Sequence, residues 1–74
     1  MQTNSSAWTE FHDLEYRCHF IGASGVVDGV RLFSSADDAT AGLEAVEHLR
    51  ERAGAKCVEL WKDGCLIGTY LSAP

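Results

Sequence analysis

Three cysteines and three histidines are the residues of this 74-residue sequence best suited to chemistry. Thiolate and imidazole are preferred zinc ligands, and a thiolate beside an imidazole can act as a nucleophile. The spacing argues against both uses, because Cys18 and His19 are adjacent and would point to opposite faces of a strand. Structural zinc sites instead take ligand pairs two to four residues apart. We therefore interpret Cys18, Cys57 and Cys65 as unreactive thiols and expect no metal, no cofactor and no enzymatic activity.

Two further patterns contain residue types that can do chemistry. Glu15 and Glu59 would suit an acid and base pair, but a domain this thin offers little room for a cleft that shifts their pKa values. The glycines of residues 22–25 lack the lysine and helix that follow them in a phosphate-binding loop, so this stretch indicates a turn.

The elements that position these residues begin with a strand over residues 14–21. Its apolar side carries Leu14, Tyr16, Cys18 and Phe20, and its other side carries Glu15, Arg17, His19 and Ile21. This alternation is typical of a strand with one buried face. After the turn, residues 26–33 are β-branched enough to return as a second strand, with a bulge expected at Gly29.

A helix is predicted over residues 36–53. Ser35 stands at the N-cap position, and Gly54 follows as the terminator. At 100° per residue one apolar arc gathers Ala36, Ala39, Leu43, Val46, Leu49 and Ala53. The small residues of this helix, Gly42 among them, indicate close packing on a sheet.

A second hairpin is predicted from residues 56–62 and 65–71, joined by the turn Asp63-Gly64. A two-residue loop pairs Leu60 with Ile67 and Val58 with Thr69 on one side, and Trp61 with Leu66 and Cys57 with Tyr70 on the other. A three-residue loop with a bulge would shift these pairs, and both alternatives stay open.

The sequence therefore predicts an α+β fold of order ββαββ, with antiparallel hairpins and one amphipathic helix on one face of the sheet. We place this single domain at residues 14–74 and a flexible or partly ordered leader at residues 1–13. Because one helix covers one face, the other face should display Trp61, Leu66 and Tyr70. Such an apolar patch is typical of a surface that binds a partner or forms a homodimer.

The charge is negative and unevenly distributed. The formal net charge is −5, and residues 1–49 hold eight acidic residues against two basic ones. An acidic surface repels phosphate backbones, so we expect no direct binding of nucleic acid and a protein partner with a basic surface.

An acidic stripe follows one side of the predicted helix. It consists of Asp37, Glu44, Glu47 and Glu51, which fall within an arc of about 80° over about 21 Å of helix. One interpretation is a solvated face that keeps a small protein soluble. The other is an anionic surface that engages a basic groove of a partner.

The cysteine count and the N-terminus bear on location. Three cysteines without CxxC spacing, and no apolar run of signal-peptide or membrane-spanning length, predict a soluble cytoplasmic protein with reduced thiols and no membrane contact.

Three segments carry a resemblance to known sequences. Tyr16-Arg17-Cys18-His19-Phe20, Ser35-Ala36-Asp37-Asp38 and Val58-Glu59-Leu60-Trp61-Lys62-Asp63-Gly64 resemble motifs of uncharacterised short bacterial proteins, notably from alphaproteobacteria. The resemblance covers about residues 15–71 and implies a ββαββ fold without implying an activity. By size and charge alone, the chain is also similar to phage-encoded anti-CRISPR inhibitors.

From these observations we expect a non-enzymatic, protein-binding module, acting as a stoichiometric inhibitor or regulator of a basic, nucleic-acid-handling partner. The alternatives are a homodimeric structural or interaction protein and a small zinc- or thiol-dependent protein.

Overall fold

The computed structural model describes residues 14–72, so the expected leader over residues 1–13 lies outside the described range. Four strands and one helix follow in the order ββαββ, which confirms the predicted fold class. Their bounds are β1, Leu14–Gly22; β2, Val27–Ser35; α1, Asp38–Arg50; β3, Ala55–Lys62; and β4, Cys65–Leu71.

The strands form one antiparallel sheet in the order β2-β1-β3-β4. The first strand of each hairpin is central, with Cys18 of β1 opposite Leu60 of β3. The second strand of each hairpin forms an edge. The sheet thus has two broad faces, and α1 packs on one of them, here called the covered face.

The core lies between α1 and the covered face. It is built from buried side chains of β1, β3 and the helix: Tyr16, Cys18, Phe20, Ala41, Ala45, Leu49, Ala55, Val58 and Leu60. The apolar side of β1 is therefore the one that the alternation predicted.

The helix presents a different side to the sheet from the one that the sequence pattern predicted. Ala41, Gly42, Ala45 and Leu49 are buried, whereas Leu43 is 71% exposed. On an ideal helix this is a rotation of roughly 100° from the predicted arc. Small residues let the helix lie close to the sheet, and Leu43 on its flank is left in solvent.

The start of α1 also differs from the prediction. Asp37, and not Ser35, is the N-cap, because its carboxylate Oδ1 accepts a hydrogen bond from the Thr40 backbone N–H at 2.8 Å. Ser35 ends β2 with its hydroxyl buried and, within the described residues, without a hydrogen-bond partner. The helix runs from Asp38 to Arg50 and is shorter than the predicted range of residues 36–53 at both ends.

The first hairpin contains the expected irregularity one residue earlier than predicted. Phe20 pairs with Gly29 and Ile21 with Val27, so Asp28 is the extra residue of the bulge. Arg52 reaches this point from beyond the helix and donates to the Asp28 carbonyl oxygen at 3.0 Å.

The second hairpin has the predicted turn and a bulge that changes the pairing beyond it. Asp63 and Gly64 have φ values of 52° and 79°, as a tight turn of two left-handed residues requires. Trp61 pairs with Leu66 as predicted, but Leu60 pairs with Gly68, so Ile67 is an extra residue. Every later residue of β4 is displaced by one position and changes face.

Candidate protein-binding surface

The face of the sheet opposite α1, here called the open face, carries three rows of side chains that run across all four strands. In order from β2 to β4, the first row is Leu32, Arg17, Trp61 and Leu66; the second is Val30, His19, Glu59 and Thr69; the third is Val27, Ile21, Cys57 and Leu71. Directly opposed residues share a face, so the strand register fixes these rows. Two largely apolar rows enclose a polar one.

The outer ends of the rows leave large aliphatic side chains in solvent. Leu32 is 69% exposed, Leu71 77%, Val30 55% and Leu66 50%. Scattered exposed leucines are ordinary on a protein surface, but here they lie on one face with Trp61 between them. An apolar patch concentrated in this way is characteristic of a contact surface.

The polar centre of the open face is held together by Glu59. Its Oε1 atom accepts a hydrogen bond from the Trp61 indole N–H at 3.2 Å and lies 3.8 Å from Nδ1 of His19. The His19 and Trp61 rings lie 5.5 Å apart between centroids. These contacts hold the indole ring in one position against the sheet, so the ring is in place before any partner binds.

Trp61 also forms one side of a groove of about 620 Å³ at the end of the open face near the Asp63-Gly64 turn. Arg17 and Leu32 line it as well. Among the ion pairs of residues 14–72, none involves Arg17.

Of the three residues predicted for the uncovered face, the structure brings together Trp61 and Leu66 and separates Tyr70 from them. Tyr70 lies on the covered face, opposite Val58, because the bulge at Ile67 displaces it by one residue. Its ring contributes to the margin of the core. The alternation of β1 already placed Arg17, His19 and Ile21 away from the core, but only the pairing of β1 with β3 brings them beside Trp61.

The acidic stripe of the helix is partly neutralised by arginines. Glu47 pairs with Arg50 at 3.1 Å, and Glu51 lies 3.6 Å from Arg31 of β2. Asp37 is engaged as the N-cap, and its hydrogen bonds with Thr40 hold the pKa of its carboxyl below the usual value. Arg50 lies one helical turn after Glu47, and Arg31 lies on β2. The arc that groups the acidic residues of the helix therefore did not reveal these partners.

Glu44, the fourth member of the stripe, is half-buried on the helix. Within the described residues, its Oε1 atom is buried without a hydrogen-bond partner. Two carboxylates of the acidic stripe pair with arginines of the same chain and a third caps the helix, so the stripe is not a row of free carboxylates.

A second polar cluster joins the helix to the covered face. The Tyr16 hydroxyl donates to Asp38 Oδ1 at 2.6 Å, and Lys62 Nζ donates to the same oxygen at 3.0 Å. Burial, reinforced by Asp38, raises the pKa of Tyr16 to about 12. The same bonds, that of Tyr16 foremost, lower the pKa of the Asp38 carboxyl. This cluster ties the first turn of α1 to β1 and β3.

The thiols differ in access. Cys18 is fully buried, and burial raises its pKa to about 11, which disfavours the thiolate. Cys57 is half-buried on the open face, and Cys65 is exposed. Across residues 14–72, no three His, Cys, Asp or Glu side chains are grouped as metal ligands would be.

Comparison with known proteins places this chain in no group. No family model matches it, no curated protein does, and no solved structure does. Within the described part of the chain, α1 is too short and too polar to cross a membrane.

Proposed function

We propose that this protein is a non-enzymatic, protein-binding module whose contact surface is the open face. The observation that carries the proposal is the concentration of exposed aliphatic side chains at the ends of the three rows, with Leu32 and Leu71 the most exposed. Trp61, fixed by its bond to Glu59, supplies the rigid aromatic anchor that interfaces favour.

The energetics of the four exposed aliphatic side chains support docking. Full burial of a leucine or valine side chain stabilises by about 1.5–3 kcal/mol relative to exposure. Scaled by their exposed fractions, Leu32, Leu71, Val30 and Leu66 offer on the order of 4–8 kcal/mol on contact with an apolar partner. That is enough to offset a substantial part of the entropy lost on association.

The polar residues of the open face would give the contact its orientation. An ion pair buried in the wrong alignment leaves a desolvated charge without a partner, which disfavours incorrect complexes. Arg17, His19 and Glu59 therefore restrict which surfaces can dock, while the aliphatic residues supply most of the binding energy.

Site-specific photo-crosslinking in the cells that naturally produce the protein tests the proposal. A photoreactive benzoylphenylalanine at position 32 should give a discrete protein adduct, since Leu32 lies on the open face. The same group at position 43 is the matched control, because Leu43 is 71% exposed on the helix and Leu32 69% on the sheet. Equal yields from both positions, or no adduct at position 32, would overturn the proposal.

A narrower version of the proposal gives the partner a basic surface. In that version the protein is a stoichiometric inhibitor of a nucleic-acid-handling machine, as anti-CRISPR proteins are. The net charge of −5 and the exposed carboxylates of Glu47 and Glu51 support it. Their pairing with Arg50 and Arg31 reduces the charge available to a partner.

Charge variants test this narrower version. Glu47→Gln with Glu51→Gln should lower the yield of the position 32 adduct by weakening the long-range attraction of a basic partner, since both carboxylates lie on the helix side of the chain and not on the open face. Arg50→Gln, which frees Glu47, should raise that yield. An adduct yield unchanged by both variants and by added salt would eliminate the electrostatic partner and leave the apolar one.

A further inference from the structure

We infer that the occupant of the open face is a second copy of this chain, packed face to face about a two-fold axis that runs parallel to the strands between β1 and β3. The inference rests on the proposed function, because it takes the open face as the contact surface. It adds the identity of the partner and the alignment of the two sheets.

The strand order determines what such an axis brings together. In the order β2-β1-β3-β4, a two-fold axis along the sheet centre places β1 over β3 of the second copy and β2 over β4. It leaves each residue at its own height along the strands. Each row therefore packs on the same row of the second copy, read in the reverse direction.

In the first row this alignment gives two complementary contacts on each side of the axis. Leu32 packs on the second copy's Leu66, and both are at least half exposed in the single chain. Arg17 packs on the second copy's Trp61, where a guanidinium over an indole face is favourable. This contact also uses the one groove-lining cation for which residues 14–72 supply no ion pair.

The other two rows are complementary in the same alignment. In the second row, His19 meets the second copy's Glu59, which extends the His19–Glu59 contact within each chain. In the third row, Ile21 meets the second copy's Cys57, and Val27 meets the second copy's Leu71. Val30 meets the second copy's Thr69; elsewhere in these two rows apolar groups meet apolar groups, and the carboxylate meets the imidazole.

The other in-plane two-fold axis, which runs along the second row, is unfavourable. It places every residue of that row over its own copy, so that Glu59 faces Glu59 and His19 faces His19. Two like carboxylates opposed in a desolvated interface repel each other. The charges of the second row thus favour the axis parallel to the strands.

The dimensions of the open face suit a dimer. Four strands spaced about 4.8 Å and three rows spaced about 6.7 Å make a face about 20 Å on each side. Standard interfaces bury about 800 Å² per partner, almost a fifth of the roughly 4,500 Å² surface of a folded chain of this mass. The open face spans about 400 Å² before the relief of its side chains is counted, which suits a dimer at the weak end of the range of specific interfaces. Sheets packed face to face are turned by about 30°, so the contacts nearest the axis, Arg17 to Trp61 and His19 to Glu59, are the least displaced.

Sedimentation velocity of the purified full chain tests the dimer over about 1–500 μM. The chain of 8.1 kDa should sediment at twice that mass as concentration rises. Leu32→Glu should raise the concentration at which half of the chains are dimeric at least tenfold, because it buries a carboxylate against the second copy's Leu66. Leu43→Glu is the matched control and should leave that concentration unchanged. Circular dichroism of both variants verifies that each is folded.

A mixing experiment tests the alignment itself. Leu32→Glu and Leu66→Lys should each weaken the dimer alone, and a 1:1 mixture should recover it, because the new carboxylate of one chain meets the new ammonium of the other. Within one chain the two positions lie on opposite edge strands, about 14 Å apart, so repair within a chain is excluded. Weakening by both variants without recovery in the mixture would overturn the proposed axis.

The outcomes separate the inference from the proposed function. If the wild-type chain stays monomeric at every concentration and position 32 crosslinks to a different protein, the dimer is ruled out. The proposal that the chain is a protein-binding module is then kept. A monomeric chain with no adduct at position 32 overturns both. A dimer unaffected by Leu32→Glu also overturns the inference, because its interface then lies elsewhere.

Discussion

The hydroxyl of Tyr70 lies over Gly42, so close that a Cβ atom added to that glycine would be 2.5 Å from it. A Cβ added to Gly68 would lie 3.0 Å from the same oxygen. The tip of the tyrosine ring is therefore held between a helical glycine and a strand glycine. The bulge at Ile67 turns Tyr70 to the covered face, and this contact there joins α1 to β4.

Replacement of Gly42 tests that contact. Gly→Ala within a helix normally stabilises by up to about 1 kcal/mol. Here Gly42→Ala should destabilise by about 1–2 kcal/mol, because the tyrosine ring must move. Urea denaturation measures the change. Tyr70→Phe should recover part of the loss in the Gly42→Ala background and have little effect alone. A stabilising Gly42→Ala would contradict the observed packing.

The start of the helix gives a second comparison. Asp37→Ala should cost about 1 kcal/mol of unfolding free energy, since it removes the cap on the Thr40 N–H. Ser35→Ala should be neutral or stabilising, because the buried Ser35 hydroxyl has no partner among the described residues. Thermal unfolding of both variants measures the difference. The reverse ranking would restore Ser35 as the cap.

Acid stability should depend on Asp38. Its lowered pKa means that its contribution to stability is present above the unfolded aspartate pKa of about 4 and is lost as pH falls through the folded value. Asp38→Asn should therefore flatten the acid limb of the stability curve, while its amide oxygen can still accept from the Tyr16 hydroxyl. Asp63→Asn, in the exposed turn, is the control. An unchanged acid limb in Asp38→Asn would show that the cluster contributes little.

Thiol labelling should follow access, with Cys65 first, Cys57 second and Cys18 only on unfolding. Because Cys57 lies in the third row of the open face, its labelling should also slow as concentration rises, whereas that of Cys65 should not. Mass spectrometry of peptides after timed alkylation measures each rate. Cys57 labelling that is independent of concentration would argue against a second copy on the open face.

The sequence predicted the elements well because their signals are local. The alternation of β1 and the Asp63-Gly64 turn depend on neighbouring residues, and both were confirmed. The helical arc was wrong because aliphatic residues were assumed to be buried. Close approach to the sheet instead selected Ala41, Gly42 and Ala45.

The candidate surface was predicted only in part. Trp61 and Leu66 are paired across the hairpin as expected, whereas the bulge at Ile67, which no local residue pattern announced, moved Tyr70 to the other face. Arg17 and Trp61 belong to different hairpins, and they are neighbours only because β1 pairs antiparallel with β3. Contacts of that range depend on the strand order, which the sequence did not determine.

Methyl NMR of the isotope-labelled chain across a dilution series tests most directly whether the open face is the contact surface. The account predicts concentration-dependent shifts for Val30, Leu32, Leu66 and Leu71, with Leu43 on the helix unchanged. Shifts centred on Leu43, or none on the open face at any concentration and none on addition of a protein captured at position 32, would contradict it.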